Sequence, residues 1–421
     1  MSIKTKKILA AHPTGNENTR GAINGFTEKG ILHSFHTCVA CFDGDWLYKL
    51  TSFSPFREFK RRMFARSLKD ITCTYPFNEL MRILASKIGI HNWVEHEKGR
   101  FCVDRIYQDL DKKVAQFVDK HYKEIGAVYL YEDCATEIVK SAKRHGLKFI
   151  YDLPIGYWRT MHRLLDDEKN KKPEWSVTLT GLDDSEEKLT RKDAELRNAD
   201  RIYVASSFTK KTLQEYPDHL ADIVVIPYGF PQVNQTRRYT PLCGRKLKVL
   251  FVGGLSQRKG ISYVFDAIKG LENQVELTVI GQGDLDRCKA LRKALQEVNY
   301  IPSMPHEDIL RFMSESDILL FPSLFEGFGL VITEAMSQGT PVITTDRTCG
   351  PDVIRNGRNG WIVEAGNAEP IKEILKDILN NPGKLEVVGK AAMKTASERP
   401  WRCYEEELSN SVSNYLNGVL S

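Results

Sequence analysis

Short apolar runs recur along this chain at 7–11, 34–42, 127–131, 148–151 and 201–205. A second series follows at 248–252, 276–280, 299–301, 318–321, 342–344 and 360–363. Each run reads as a strand, and the stretches between them, such as 20–29 and 135–145, read as helices. Strands alternating with helices predict parallel sheets, and two such series predict an α/β chain with two doubly wound units. The run Ile226-Pro227-Tyr228-Gly229-Phe230-Pro231 interrupts the pattern, and polar positions continue to Lys246. The predicted units are therefore 1–230 and 231–399. Residues 400–421, which open on Pro400 and Trp401, are predicted to form a terminal helix with an aromatic anchor.

Composition narrows the class without naming a chemistry. A length of 421 residues suits two packed domains, and 42% apolar with 27% charged residues suits a soluble globular chain. A net charge of +5 is small for this size, so no nucleic-acid partner is expected. No apolar run is long enough for a spanning helix, and the apolar stretch behind the basic start is too short for a signal peptide. Nine scattered cysteines suit reduced thiols and a cytoplasmic location. Cys38 and Cys41 form a C-x-x-C within a predicted buried strand, with no second pair to complete a zinc set. No metal site is expected.

The chemistry concentrates at Phe321-Pro322-Ser323-Leu324-Phe325-Glu326-Gly327-Phe328-Gly329-Leu330, continuing through Val331 to Glu334. An apolar strand meets a two-glycine loop, and a helix follows. Glycines let backbone N–H groups approach a ligand closely, and a helix N-terminus favours an anion. Glu334 falls about one turn into that helix, on the side of Glu326. A phosphate loop flanked by two carboxylates is what a sugar nucleotide needs. A second loop, Gly253-Gly254-Leu255-Ser256-Gln257-Arg258-Lys259-Gly260, follows the strand at 248–252 and adds two fixed cations. A third, Gly281-Gln282-Gly283-Asp284, lacks the last glycine of a dinucleotide fingerprint.

These segments resemble family 4 of the retaining glycosyltransferases, which carry a Glu-x7-Glu motif on the GT-B fold of two Rossmann-like domains facing a cleft. The resemblance is strongest over 248–365. It implies that Glu326 lies near the reacting face of the donor sugar and that Glu334 binds the ribose. Gly327, Phe328 and Gly329 would offer amides to sugar and phosphate, with Leu330 and Val331 facing the diphosphate. Arg258 and Lys259 would stabilise the leaving diphosphate without a metal or other cofactor. Gly15, Gly254 and Gly281 would line the donor site, and Tyr300 and Ile301 would contact the base. The closing helix of the family crosses back to the first domain.

On the acceptor side the resemblance is diffuse. Many family members place a histidine after a central strand of the first domain. Here the segment Tyr151-Asp152-Leu153-Pro154-Ile155-Gly156-Tyr157 carries none at the turn. Asp152 is the expected substitute as acceptor base or sugar ligand, with Asn16 and Tyr157 as acceptor contacts. Residues 56–66 interleave basic and apolar positions, as a helix lying on an anionic membrane would. The expectation is retaining transfer from a UDP- or GDP-linked sugar to a hydroxyl of a glycan, lipid-linked or small-molecule acceptor. The product would be cell-surface polysaccharide or glycoconjugate, made in the cytoplasm or at the inner membrane face. A GT-B phosphorylase or epimerase, and a catalytically silent sugar- or nucleotide-binding protein, are the alternatives. A cofactor-dependent phosphorylase would need a Schiff-base lysine, and a silent protein would more readily have lost Arg258, Lys259 or a glutamate.

Overall fold

The computed structural model describes residues 6–42, 44–45, 62–179 and 181–418. Most of the basic amphipathic run at 56–66 lies outside them. The first half carries β1 (Lys7–Ala11), β2 (Leu32–Thr37), β3 (Cys41–Phe42), β4 (Met63–Phe64) and β5 (Thr72–Thr74). It continues with β6 (Ile125–Tyr131), β7 (Lys148–Leu153), β8 (Arg201–Val204) and β9 (Ile223–Val225). The second half carries β10 (Leu247–Val252), β11 (Val275–Ile280), β12 (Asn299–Ile301), β13 (Ile318–Phe321), β14 (Val342–Thr345) and β15 (Trp361–Val363). Two sheets result, ordered β5-β2-β1-β6-β7-β8-β9 and β12-β11-β10-β13-β14-β15. Every pairing in both is parallel.

The apolar runs become these strands because both sheet faces are covered. Ile8, Leu9, Val128, Leu130, Leu250, Phe251, Leu319 and Leu320 are all fully buried. The predicted strand at 34–42 is in fact broken. The chain leaves the sheet after Thr37, where the Cys38 N–H turns to the Pro13 carbonyl at 3.1 Å. It then pairs Cys41 and Phe42 with Met63 and Phe64 in a separate two-stranded ribbon. All nine cysteines are free, Cys38 and Cys41 among the buried ones.

The chain passes between the two sheets twice, side by side. Phe230 bridges to Pro400, and its N–H donates to the Arg399 carbonyl at 2.9 Å. The final helix, Trp401–Leu416, then lies on the helix Glu17–Glu28 of the first half, with Tyr404 and Trp401 against Gly21. The backbones come close enough that a Cβ on Gly25 would lie 2.3 Å from the Glu405 carbonyl oxygen.

The carboxyl ends of the two sheets face each other, which is where open α/β sheets bind ligands. At the seam the backbone of Gly327 approaches the first half so closely that a Cβ there would sit 1.8 Å from the Pro154 carbonyl oxygen. Ser206 and Thr209 donate hydrogen bonds to the Gly327 carbonyl at 2.6 and 2.9 Å. Phe325 packs on Phe208 with ring centroids 5.5 Å apart. A second tie is the helix Trp158–Lys171, whose buried Glu168 accepts from Tyr263 Oη and from Gln257 Nε2 of the other half, at 2.9 and 2.7 Å.

Candidate active site

A cleft cavity of about 400 Å3 opens between the halves. Asn16, Asn18, Pro154, Ile155 and Tyr228 line it from the first half. From the second come Gly254, Arg258, Lys259, the run Glu326 to Val331, and Glu334. Local sequence explains the assembly. β13 ends at Phe321, and Gly329 takes the left-handed conformation at φ 93°, which a side chain would oppose. That turn starts the helix Leu330–Ser337 and aims its N-terminus, with its unpaired N–H groups, into the cleft.

The charges are arranged around one carboxylate. Glu326 is buried, and its Oε1 accepts from the Ser323 hydroxyl at 2.8 Å and pairs with Lys259 Nζ. Arg258 Nη1 stands 4.0 Å from the same oxygen and donates to the Phe325 carbonyl at 3.0 Å. The Arg258 carbonyl in turn accepts from the Leu324 N–H at 2.8 Å, so the two loops hold each other. Burial holds the Lys259 pKa below its ordinary value, with Glu326 pulling upward and Arg258 downward. Glu334 accepts from His306 Nε2 at 2.9 Å. Across the cleft, burial raises the Glu17 pKa, Arg20 lowers it, and the like charge of Glu334 raises it again. The cleft therefore carries the cations Arg258 and Lys259 around Glu326, with Glu334 and Glu17 as further carboxylates.

Residues 232–395 match the family model of glycosyl transferases group 1. The match lies wholly within the second half of the chain. The amylovoran biosynthesis glycosyltransferase AmsK of Erwinia amylovora is 31% identical over 34% of this chain and 38% of its own length. The phosphatidyl-myo-inositol mannosyltransferase of Mycobacterium leprae is 29% identical over 36% of this chain and 39% of its own length. The chain thus spans about two fifths of the length of these curated relatives. Solved structures extend the likeness in shape to both halves. Sucrose-phosphate synthase of Thermosynechococcus elongatus superimposes with a TM-score of 0.64 at 17% identity, covering 98% of this chain and 100% of that one. Anabaena HepE, solved with UDP-glucose, gives 0.61 at 17% identity over 97% of this chain and 99% of that one. The architecture is GT-B.

The expected residues divide into three groups about this cleft. Glu326, Arg258, Lys259, Gly254, Gly327, Phe328, Gly329, Leu330, Val331, Glu334 and Asn16 line the one cavity. Gly15, Gly281, Tyr300 and Ile301 stand behind it. Gly15 donates its N–H to His12 Nδ1 at 2.9 Å and packs beneath Phe64. Gly281 lies under Gly253 and donates to the Ile301 carbonyl at 3.0 Å, while Tyr300 and Ile301 sit half-buried on β12.

Asp152 and Tyr157 depart from expectation. Asp152 is only 3% exposed and accepts from Tyr129 Oη at 2.6 Å, with burial pushing its pKa up to about 7. It points into a tyrosine-rich core instead of the cleft. Tyr157 is buried too: its hydroxyl donates to Asp193 at 2.8 Å and its N–H to Thr212 at 2.8 Å. Both partners lie far along the chain, so the apolar pattern around Tyr157 held no sign of them. Conversely, Asn18, Ile155 and Tyr228 line the cleft and His306 stands at its rim against Glu334, and sequence reasoning missed all four. Asn18 had a legible signal, since it stands two positions after Asn16, the residue that caps this helix by accepting from the Thr19 N–H at 3.2 Å.

Proposed function

We propose that this chain is a retaining glycosyltransferase that moves a sugar from a nucleotide-diphosphate donor, UDP- or GDP-linked, to an acceptor hydroxyl. The observation that carries the reading is the Lys259–Glu326 pair, with Arg258 beside it, at the N-terminus of the helix Leu330–Ser337. As the bond from the anomeric carbon to the phosphate oxygen breaks, its electron pair leaves with the diphosphate. Arg258, Lys259 and the helix N-terminus meet that charge, and such preorganised positive groups favour the transition state over the ground state. The acceptor oxygen bonds to the anomeric carbon on the same face, and its proton passes to the leaving phosphate. Glu326 orients the sugar and Lys259, while Glu334, held by His306, takes the ribose hydroxyls. The fixed cations supply the charge that a metal would otherwise supply, so activity is expected to persist in chelator.

The acceptor class is a glycan, lipid-linked or small-molecule hydroxyl, consistent with cell-surface polysaccharide or glycoconjugate synthesis. No helix among the described residues is long and apolar enough to cross a membrane. One helix nevertheless favours peripheral contact at an inner membrane face: Phe77, Leu80, Leu84 and Ile88 lie along one face of Phe77–Lys87 and its cap, 42–64% exposed, with Trp93 at 40%. A face of that kind suits the headgroup boundary of a bilayer.

The test is turnover with a panel of UDP- and GDP-sugars. Lys259→Ala and Glu326→Ala should each lose at least about 100-fold in kcat, the scale of one removed transition-state contact, with the fold intact by circular dichroism. Wild-type turnover in both variants overturns the reading.

A further inference from the structure

Away from the cleft, the first half gathers a histidine and three carboxylates from segments distant in the chain. His96 and Glu97 stand in the turns ahead of the helix Val103–His121, and Asp184 stands just ahead of the helix Glu186–Asn198. His96 Nε2 is 3.1 Å from Asp184 Oδ1 and 3.3 Å from Glu97 Oε1. At the other ring nitrogen lies Asp104, only 6% exposed, with its Oδ2 3.6 Å from His96 Nδ1. That oxygen is buried and has no hydrogen-bond partner among the described residues. We propose that His96, Glu97 and Asp184 bind one zinc ion, with water in the fourth position and Asp104 orienting the imidazole.

Spacing argues for a metal over a plain ion pair. Zinc bonds of about 2.0–2.2 Å to nitrogen and oxygen set tetrahedral edges of about 3.3 Å. His96 Nε2 stands at that spacing from both carboxylates. As an ion pair the same arrangement is poor, because Nε2 carries one hydrogen for two carboxylate oxygens. An ion between the three atoms meets all of them. The orphan oxygen of Asp104 points the same way, since a buried polar atom left unpaired costs free energy. With Nε2 on the metal, the ring hydrogen sits on Nδ1 and faces Asp104 Oδ2, as the second nitrogen of a metal-bound histidine faces a carboxylate. Closing that gap to hydrogen-bond length satisfies both groups.

The surrounding charge admits a cation. Lys188 Nζ stands 2.9 Å from both Asp184 Oδ1 and Asp104 Oδ1, and Lys192 Nζ 3.0 Å from Asp184 Oδ2. Lys192 also reaches Glu132 at 3.5 Å, and Arg191 pairs with Asp133 at 2.9 Å. In this network five carboxylates, Glu97, Asp104, Glu132, Asp133 and Asp184, face three cations, so acid is in excess. The Ser185 N–H donates to Glu97 Oε1 at 2.9 Å, which fixes that oxygen and leaves it a second lone pair. The His96 side chain is half exposed, so an ion enters from solvent. An imidazole with two carboxylates suits zinc, whereas magnesium prefers oxygen alone. Bound there, zinc clasps the turn at His96 to the start of the helix Glu186–Asn198, and none of its ligands lines the donor cavity.

The experiment titrates zinc chloride alone into the chelator-treated full chain by calorimetry. His96→Ala, Glu97→Gln and Asp104→Asn are the variants. His121→Ala, at a histidine that pairs with Glu124 elsewhere on the surface, is the control. One zinc should bind per wild-type chain. His96→Ala should weaken it at least about 100-fold, and Asp104→Asn, which acts through the ring, by about 10–100-fold. Glu97→Gln keeps an oxygen for the Ser185 N–H but loses the charge, and it too should weaken binding. His121→Ala should match the wild type. Zinc should also raise the wild-type Tm and leave that of His96→Ala unchanged. If Asp104→Asn does not fold, the more exposed His96→Ala and Glu97→Gln still decide. No binding in the wild type, equal affinity in His96→Ala, or the same loss in His121→Ala would each overturn the proposal.

Discussion

Asp152 and His12 show how far a residue's type is from its role. Both stand at strand ends beside the cleft, and both are buried. Burial raises the Asp152 pKa to about 7, so its carboxyl is neutral in the folded chain where the unfolded one is already ionised. Stability from this group is present in acid and is lost as pH rises from the ordinary carboxylate range through about 7. His12 works the other way. Its Nδ1 accepts the Thr14 and Gly15 N–H groups at 3.1 and 2.9 Å, which only the neutral ring can do, and burial lowers its pKa to about 3. Its stability is present above the ordinary histidine range and is lost as pH falls toward 3. Asp152→Asn should therefore stabilise the chain at pH 8 relative to pH 5, by on the order of a few kcal/mol, in urea unfolding at both values. Transfer activity should persist in that variant. Loss of activity with an unchanged pH profile would return Asp152 to the acceptor site.

At the scale of elements, the strands of the second half were legible almost to the residue. β12 and β13 match their predicted spans, and all four residues of β13 are buried, so its apolar run admits one reading. β5 and β9 escaped notice, since three residues each at the sheet edge leave little pattern. The second-half lining of the cleft was legible because its motifs are local in sequence. Glu326, Arg258 and Lys259 sit in glycine-bearing loops behind strands, and Glu334 in the helix that follows one of those loops. The surroundings of Tyr157 and Asp152 were not, because they come from segments distant in the chain. Packing of the closing helix can be tested at Gly25. Alanine favours a helix over glycine by about 1 kcal/mol, so propensity alone predicts stabilisation. The 2.3 Å approach of a Cβ to the Glu405 carbonyl oxygen predicts the reverse. Gly25→Ala should lower Tm and speed hydrogen exchange across 401–416. A higher Tm would mean the two helices do not meet as described.

For the whole molecule, two halves that meet through Gly327, Glu168 and the paired crossings at Phe230 and Pro400 make one cleft with its charges facing inward. The exposed face of Phe77–Lys87 lies outside that cleft and has its own test. Sedimentation with vesicles containing anionic lipid should carry the wild type down, and Leu84→Glu with Ile88→Glu should leave the protein in the supernatant with its transfer activity unchanged. Equal sedimentation of both would remove the membrane from the account. The central claim is that Arg258, Lys259 and the amides beside Glu326 grip a pyrophosphate. Isothermal titration of UDP and GDP into wild type, Lys259→Ala and Glu334→Ala addresses it most directly. One nucleotide should bind the wild type, with Lys259→Ala and Glu334→Ala each weakening it about tenfold or more, as for lost hydrogen bonds to charged groups. Equal affinity in all three proteins, or none in the wild type, would contradict it.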